Sequence, residues 1–206
     1  MNILCHRGAW NISAEKNSLA AFNNSIKLNC GFESDVRDYC GKLVISHDMA
    51  AENSLPLEEV LQLLKDAGNK YCFAINIKAD GLTALLKKLL QKYELENYFV
   101  FDMSLPQMIE YRKSGLKFFT RQSEFEKVPL LYEDAAGVWL DPFESDDWLT
   151  RDLIERHLQN GKKICVVSPE LHARESQSLW EMLKEIKNPD IYLCTDLFLQ
   201  AKEFFN

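Results

Sequence analysis

The sequence is poor in residues that break regular structure, with 8 Gly and 6 Pro among 206 residues. Alongside 47% hydrophobic and 27% charged residues, that scarcity excludes a collagen-like, low-complexity or disordered chain. A basic excess is also missing. Lys and Arg number 24 against 31 Asp and Glu, for a formal net charge of −7, so nucleic acid is not an expected partner. No stretch reaches the roughly 18 consecutive apolar residues of a membrane-spanning helix. None of the six cysteines stands in a CxxC pair or at zinc-site spacing. Cys5, Cys72, Cys165 and Cys194 fall inside apolar runs and read as small core hydrophobes. Thiols in that number, with no secretory leader before them, lead us to expect a reducing, cytoplasmic setting.

What the chain does have is a rhythm. Eight short apolar runs recur, at residues 2–5, 30–36, 71–77, 98–102, 117–121, 137–141, 163–167 and 191–195. Between them lie segments with helical spacing, at 17–28, 57–67, 82–93, 104–113, 147–158, 176–186 and 197–205. In the third of these, Leu recurs at 82, 85, 86, 89 and 90. After Arg121 the pattern weakens, and Pro129 limits any helix there. His157, beside Arg156 on an amphipathic segment, reads as solvent-facing. Alternation of strand and helix predicts a parallel α/β fold built of right-handed βαβ units. Eight units at about 26 residues each suit a compact (β/α)8 TIM barrel, with residues 1–206 as a single domain. An open doubly wound sheet is the alternative, but nothing like its GxGxxG fingerprint follows any strand.

A barrel places its chemistry at the carboxyl ends of its strands, and polar residues gather at those positions here. His6-Arg7-Gly8 ends the first run, Glu33 and Asp35 lie in the second, and Asn76 and Lys78 close the third. Asp102, Arg121, Asp141, Glu170, His172 and Asp196 follow later runs, and Asp80 lies just past Lys78. Glu33 and Asp35 are two apart, so on a strand both point to one side. Two neighbouring buried carboxylates repel unless a cation lies between them, and a hard divalent ion fits oxygen ligands. His47-Asp48 ends another short apolar run, Leu43 to Ile45. Two histidines beside a metal suffice for acid–base phosphoryl transfer.

Four ordered strings carry a resemblance: Cys5-His6-Arg7-Gly8, Asn17-Ser18-Leu19-Ala20-Ala21-Phe22, Gly31-Phe32-Glu33-Ser34-Asp35-Val36 and Val44-Ile45-Ser46-His47-Asp48. In order and spacing they resemble the glycerophosphodiester phosphodiesterase family, whose pattern runs HRG, ENTLAAF, GxExDV and VxxHD. The close match covers residues 3–48, and Asn76-Ile77-Lys78 extends it toward the family's Glu-Ile-Lys motif. The resemblance implies a TIM-barrel phosphoric diester hydrolase. It implies His6 and His47 as general acid and base, and Glu33, Asp35 and the position of Asn76 as metal ligands. Arg7 and Lys78 would neutralise the phosphate. The implied cofactor is one divalent cation, Mg²⁺ or Ca²⁺, with Mn²⁺ as an alternative. The implied substrate is a small glycerophosphodiester, split to an alcohol and glycerol 3-phosphate.

The sequence departs from the family pattern twice. Asn76 stands where the family has Glu, which removes one negative charge. At the ENT-like motif the chain reads Glu15-Lys16-Asn17-Ser18, with one residue inserted, so either Glu15 or Lys16 takes the glutamate's place. Asp80 or Asp141 would supply the missing charge. These departures keep two other readings open: a phosphodiesterase for a different head group, and a catalytically silent barrel that binds a phosphorylated ligand.

Overall fold

A computed structural model describes residues 1–205. Its strands are β1 (Asn2–His6), β2 (Gly31–Tyr39), β3 (Lys42–Ile45), β4 (Leu55–Pro56), β5 (Phe73–Ile77), β6 (Tyr98–Phe101), β7 (Phe119–Gln122), β8 (Gly137–Leu140), β9 (Lys163–Val167) and β10 (Ile191–Thr195). Helices α1 (Leu19–Lys27), α2 (Leu57–Asp66), α3 (Thr83–Lys92), α4 (Leu105–Lys113), α5 (Arg151–Gln159), α6 (Gln177–Glu185) and α7 (Phe198–Phe205) alternate with them. All eight expected strands and all seven expected helices are present. The helix starts move inward where a side chain caps them. Ser18 Oγ accepts from Ala21 N and Thr150 Oγ1 from Leu153 N, so α1 and α5 begin at residues 19 and 151.

By compactness the chain divides into two units, one of residues 5–118 and one of residues 1–4 with those from 119 onward. In the first unit, β2 pairs in parallel with β5, and β5 with β6. On its other side β2 turns back into an antiparallel hairpin with β3, and β3 pairs with β4. The core of this unit is aromatic. Phe22 of α1 stacks on Phe32 of β2 at 4.6 Å between ring centroids, and Phe32 meets Phe73 of β5 at 5.1 Å. All three are fully buried. Gly8, at φ +83°, lets the chain leave β1 against α1; a Cβ there would come within 2.8 Å of Ala21.

In the second unit, β7, β8, β9 and β10 pair in parallel in that order. Three of its strands, β8, β9 and β10, are largely apolar runs, with Val138, Leu140, Ile164, Val166, Ile191 and Leu193 buried, as a sheet covered on both faces requires. Trp180 of α6 packs on Phe204 and Phe205 of α7, each at 5.7 Å. The cysteines expected in the core are there: Cys5, Cys72, Cys165 and Cys194 are buried thiols, as is Cys30, while Cys40 is exposed. Among the described residues, no helix is long and apolar enough to cross a membrane.

His157 corrects the sequence reading. It is buried on the inner side of α5, between Tyr132 and Gln122. Its ring lies three residues beyond the buried Ile154, on the helix face that covers the sheet.

Candidate active site

Residues 32–36 of β2 are buried on both faces, and two of them are acids. Glu33 and Asp35 are 2% and 1% exposed, so both carboxylates need partners. Asp35 draws two cations. Arg7 Nε lies 3.2 Å from its Oδ2 and Lys78 Nζ 3.3 Å from its Oδ1. Asn17 Nδ2 also donates to Oδ2, at 2.9 Å. Glu33 accepts from the backbone N–H of Arg7 at 3.2 Å, and its Oε2 lies 4.0 Å from His6 Nε2. Burial, and then the charge of Asp35, raise the Glu33 carboxyl well above its ordinary pKa.

The first two expected functional residues owe their position to a bend at the end of β1. Arg7, at φ +57°, turns the chain so that His6 and Arg7 both reach β2. Asn17, at φ +60°, accepts from Ser34 Oγ at 2.7 Å while donating to Asp35, and its own N–H bonds Arg7 O at 2.9 Å. Asn17 thereby ties the loop before α1 to both the acid and the arginine. Sequence reasoning missed it by looking for a glutamate. Glu15 instead accepts from the backbone of Asn11, and the Lys16 ammonium sits 4.4 Å above the Trp10 ring.

His47 follows β3 and is 44% exposed, with Nδ1 at 2.9 Å from Asp48 Oδ1. That hydrogen bond holds the Asp48 carboxyl below its ordinary pKa. Arg37 also reaches the Asp48 carbonyl and so steadies the turn. His47 lines an open cleft of about 590 Å³ together with Arg7, Lys16, Asn17, Ser46 and Asp48. His6, Glu33, Asp35, Asn76 and Lys78 do not line that cleft, and Arg7 and Asn17 are common to it and to the buried carboxylates.

The parallel register of β2 and β5 sets Asn76 directly beside Asp35, and that of β5 and β6 sets Phe101 beside Asn76. Asn76 is 8% exposed and its Nδ2 donates to Asp102 Oδ2 at 3.3 Å. Lys78 is anchored through its backbone N–H to Val36 O at 2.9 Å. Asp80 is turned away from this group and accepts from Ser104 Oγ at 2.9 Å.

A divalent cation fits these residues by donor chemistry. Glu33, Asp35 and Asn76 offer hard oxygen atoms from adjacent strands. Asn76 Oδ1 is buried with no hydrogen-bond donor, and Asp35 Oδ1 meets the Lys78 ammonium at 3.3 Å. A buried acceptor without a donor costs stability, which a cation ligated there would offset. Among the described residues no three His, Cys, Asp and Glu side chains are grouped so as to hold a metal, so a cation here would need the Asn76 amide as well.

Other polar residues singled out in the sequence form a group of their own in the second unit. Asp141 accepts from His172 Nε2 at 2.8 Å and from Trp139 Nε1 at 3.3 Å. Arg121 pairs with Glu126 and lies over the Phe143 ring. Glu170 accepts from Thr195 and from the backbone N–H of Asp196.

Compared by sequence, the chain matches no family model and no curated protein. Its three-dimensional likenesses are extensive. It is similar to a glycerophosphodiester phosphodiesterase from Parabacteroides distasonis at 15% identity and TM-score 0.75, over 99% of this chain and 96% of that one. An Oleispira antarctica phosphodiesterase, solved with the product sn-glycerol-3-phosphate, is similar at 14% identity and TM-score 0.72, over 99% and 96%. A glycerophosphodiester phosphodiesterase from Thermotoga maritima shares 20% identity at TM-score 0.67, over 98% and 97%. Strand–helix alternation, parallel register and these likenesses agree: the chain has the TIM-barrel fold of the glycerophosphodiester phosphodiesterases.

Proposed function

We propose that this chain is a phosphoric diester hydrolase that splits a small glycerophosphodiester to an alcohol and glycerol 3-phosphate. The reading takes residues 1–206 as one catalytic domain. The observation that carries it is the gathering of His6, Arg7 and Lys78 around two buried carboxylates, Glu33 and Asp35. The fold shared with phosphodiesterases, one of them holding sn-glycerol-3-phosphate, supports the substrate class.

In this reading Glu33, Asp35 and Asn76 hold one divalent cation, Mg²⁺ or Ca²⁺, with Mn²⁺ as an alternative. Bound there, the cation would supply charge stabilisation to a phosphate oxygen. Arg7 presents a guanidinium fork and Lys78 a point charge, and Asp35 keeps both aimed at the phosphate position. His6 and His47 act as the acid–base pair. One takes the proton of the attacking hydroxyl, and the other protonates the departing alkoxide. The Asp48 carboxylate holds His47 by Nδ1, which leaves Nε2 to exchange the proton.

The test is release of glycerol 3-phosphate from glycerophosphocholine by the wild-type chain and by His6→Ala and His47→Ala. We expect turnover in the wild type and a loss of about 10²–10⁴-fold in each variant, the usual contribution of a general acid or base. Equal rates in wild type and both variants would overturn the assignment. A second reading is favoured by Asn76, whose amide carries no charge: a barrel that binds a phosphorylated ligand without turning it over. It predicts binding of glycerol phosphate with no hydrolysis.

A further inference from the structure

Asn76 has an acidic neighbour one strand away. Strands β2, β5 and β6 are adjacent and parallel, and their register aligns Asp35, Asn76 and Phe101 in one row. Asp102 is the next residue after Phe101. Its backbone takes the left-handed conformation, φ +66°, which a non-glycine residue adopts at some cost. From there its Oδ2 lies 3.3 Å from Asn76 Nδ2.

A carboxylate can only accept hydrogen bonds, so it fixes which end of an amide it faces. Asn76 must turn its NH₂ toward Asp102. Its oxygen then has to point elsewhere, and that oxygen is the buried Oδ1 without a donor. The neighbour across the register, Asp35, is a buried carboxylate whose Oδ1 lies 3.3 Å from Lys78 Nζ.

We propose that Asp102 is a positioning residue for cation binding: by accepting from Asn76 Nδ2 it holds Asn76 Oδ1 as a ligand oxygen. The inference rests on the cation reading of Glu33, Asp35 and Asn76 given above.

Mn²⁺ binding to the full chain, followed by the paramagnetic signal of free Mn²⁺, tests it without reference to turnover. Asp102→Asn removes the constraint, because an amide can face either end of Asn76, and should weaken Mn²⁺ about 10-fold or more, the usual effect of a residue supporting a metal ligand. Asn76→Glu should tighten Mn²⁺. In the Asn76→Glu background, Asp102 faces a carboxylate that it repels, so adding Asp102→Asn there should leave Mn²⁺ affinity unchanged or raise it. This reversal is a result that loss of a merely structural contact would not give. Thermal unfolding without metal monitors the fold, and the Asn76→Glu arm reads the site with Asp102 intact. Wild-type binding that survives Asp102→Asn unchanged, or an equal loss in both backgrounds, overturns the inference alone. A wild-type chain that binds no Mn²⁺ overturns it together with the cation reading.

Discussion

Around Asp35 and around His157, the chain buries polar groups in two different ways. The His157 ring is satisfied at both nitrogens. Gln122 Nε2 donates to the carbonyl of Lys127 at 2.9 Å, which turns Gln122 Oε1 toward His157 Nε2 at 2.8 Å. That oxygen can only accept, so Nε2 carries the proton and Nδ1 accepts from Tyr132 O–H at 2.8 Å. The ring is neutral, and burial, with Arg156 nearby, lowers its pKa to about 4. Around Asp35 the burial is deeper, yet Asn76 Oδ1 has no hydrogen-bond donor, and Asp35 is held by ion pairs to Arg7 and Lys78 at 3.2 and 3.3 Å. A closed network specifies structure, whereas an open one pays for a ligand. Both clusters contain a histidine and both are polar; what separates them is whether their valences are filled.

The contrast can be broken at several points. The largest effect belongs to His6→Ala and His47→Ala, which should lower hydrolysis about 10²–10⁴-fold while thermal unfolding stays near wild type. Next comes Asp35→Asn, which removes the charge that holds Arg7 and Lys78. It should weaken Mn²⁺ at least about 10-fold in a binding titration, and raise KM for the phosphodiester as well. His157→Ala should do the reverse. It strands Gln122 Oε1 and should cost about 1–3 kcal/mol in denaturant unfolding with kcat unchanged. The smallest effect is in pH. The folded pKa of His157, about 4, lies below its ordinary value of 6.5, so the unfolded chain binds more protons between those limits. The stability from His157 is therefore complete above about pH 6.5 and is lost as pH falls toward 4. Melting temperatures measured across that window should fall less steeply in His157→Ala than in the wild type.

Much of the fold was legible because its signals are local. Most strands are short apolar runs, the helices carry apolar residues at helical spacing, and the residues at strand ends stand out as charges inside apolar surroundings. The pairing of Glu33 and Asp35 on a buried strand followed from a period of two. What the sequence hid depends on tertiary contact. Asn17 belongs with Asp35 because a left-handed turn brings the loop before α1 onto β2. Asp102 belongs with Asn76 through the register of two strands distant in sequence. β4 is two residues long and contains Pro56, too short for any period to register. His157 was readable after all. Its spacing from Ile154 places it on the apolar face of α5, and its polarity hid that position.

The central claim is that the buried carboxylates serve cation-dependent hydrolysis of a phosphodiester. The most direct measurement is hydrolysis of bis-p-nitrophenyl phosphate and glycerophosphocholine by the wild-type chain, before and after EDTA, and after Mg²⁺, Mn²⁺ or Ca²⁺ is restored. The account predicts turnover that EDTA stops and one of these cations recovers, with glycerol 3-phosphate appearing from glycerophosphocholine. Turnover unaffected by EDTA, or no turnover with any cation alongside measurable binding of glycerol phosphate, would contradict it.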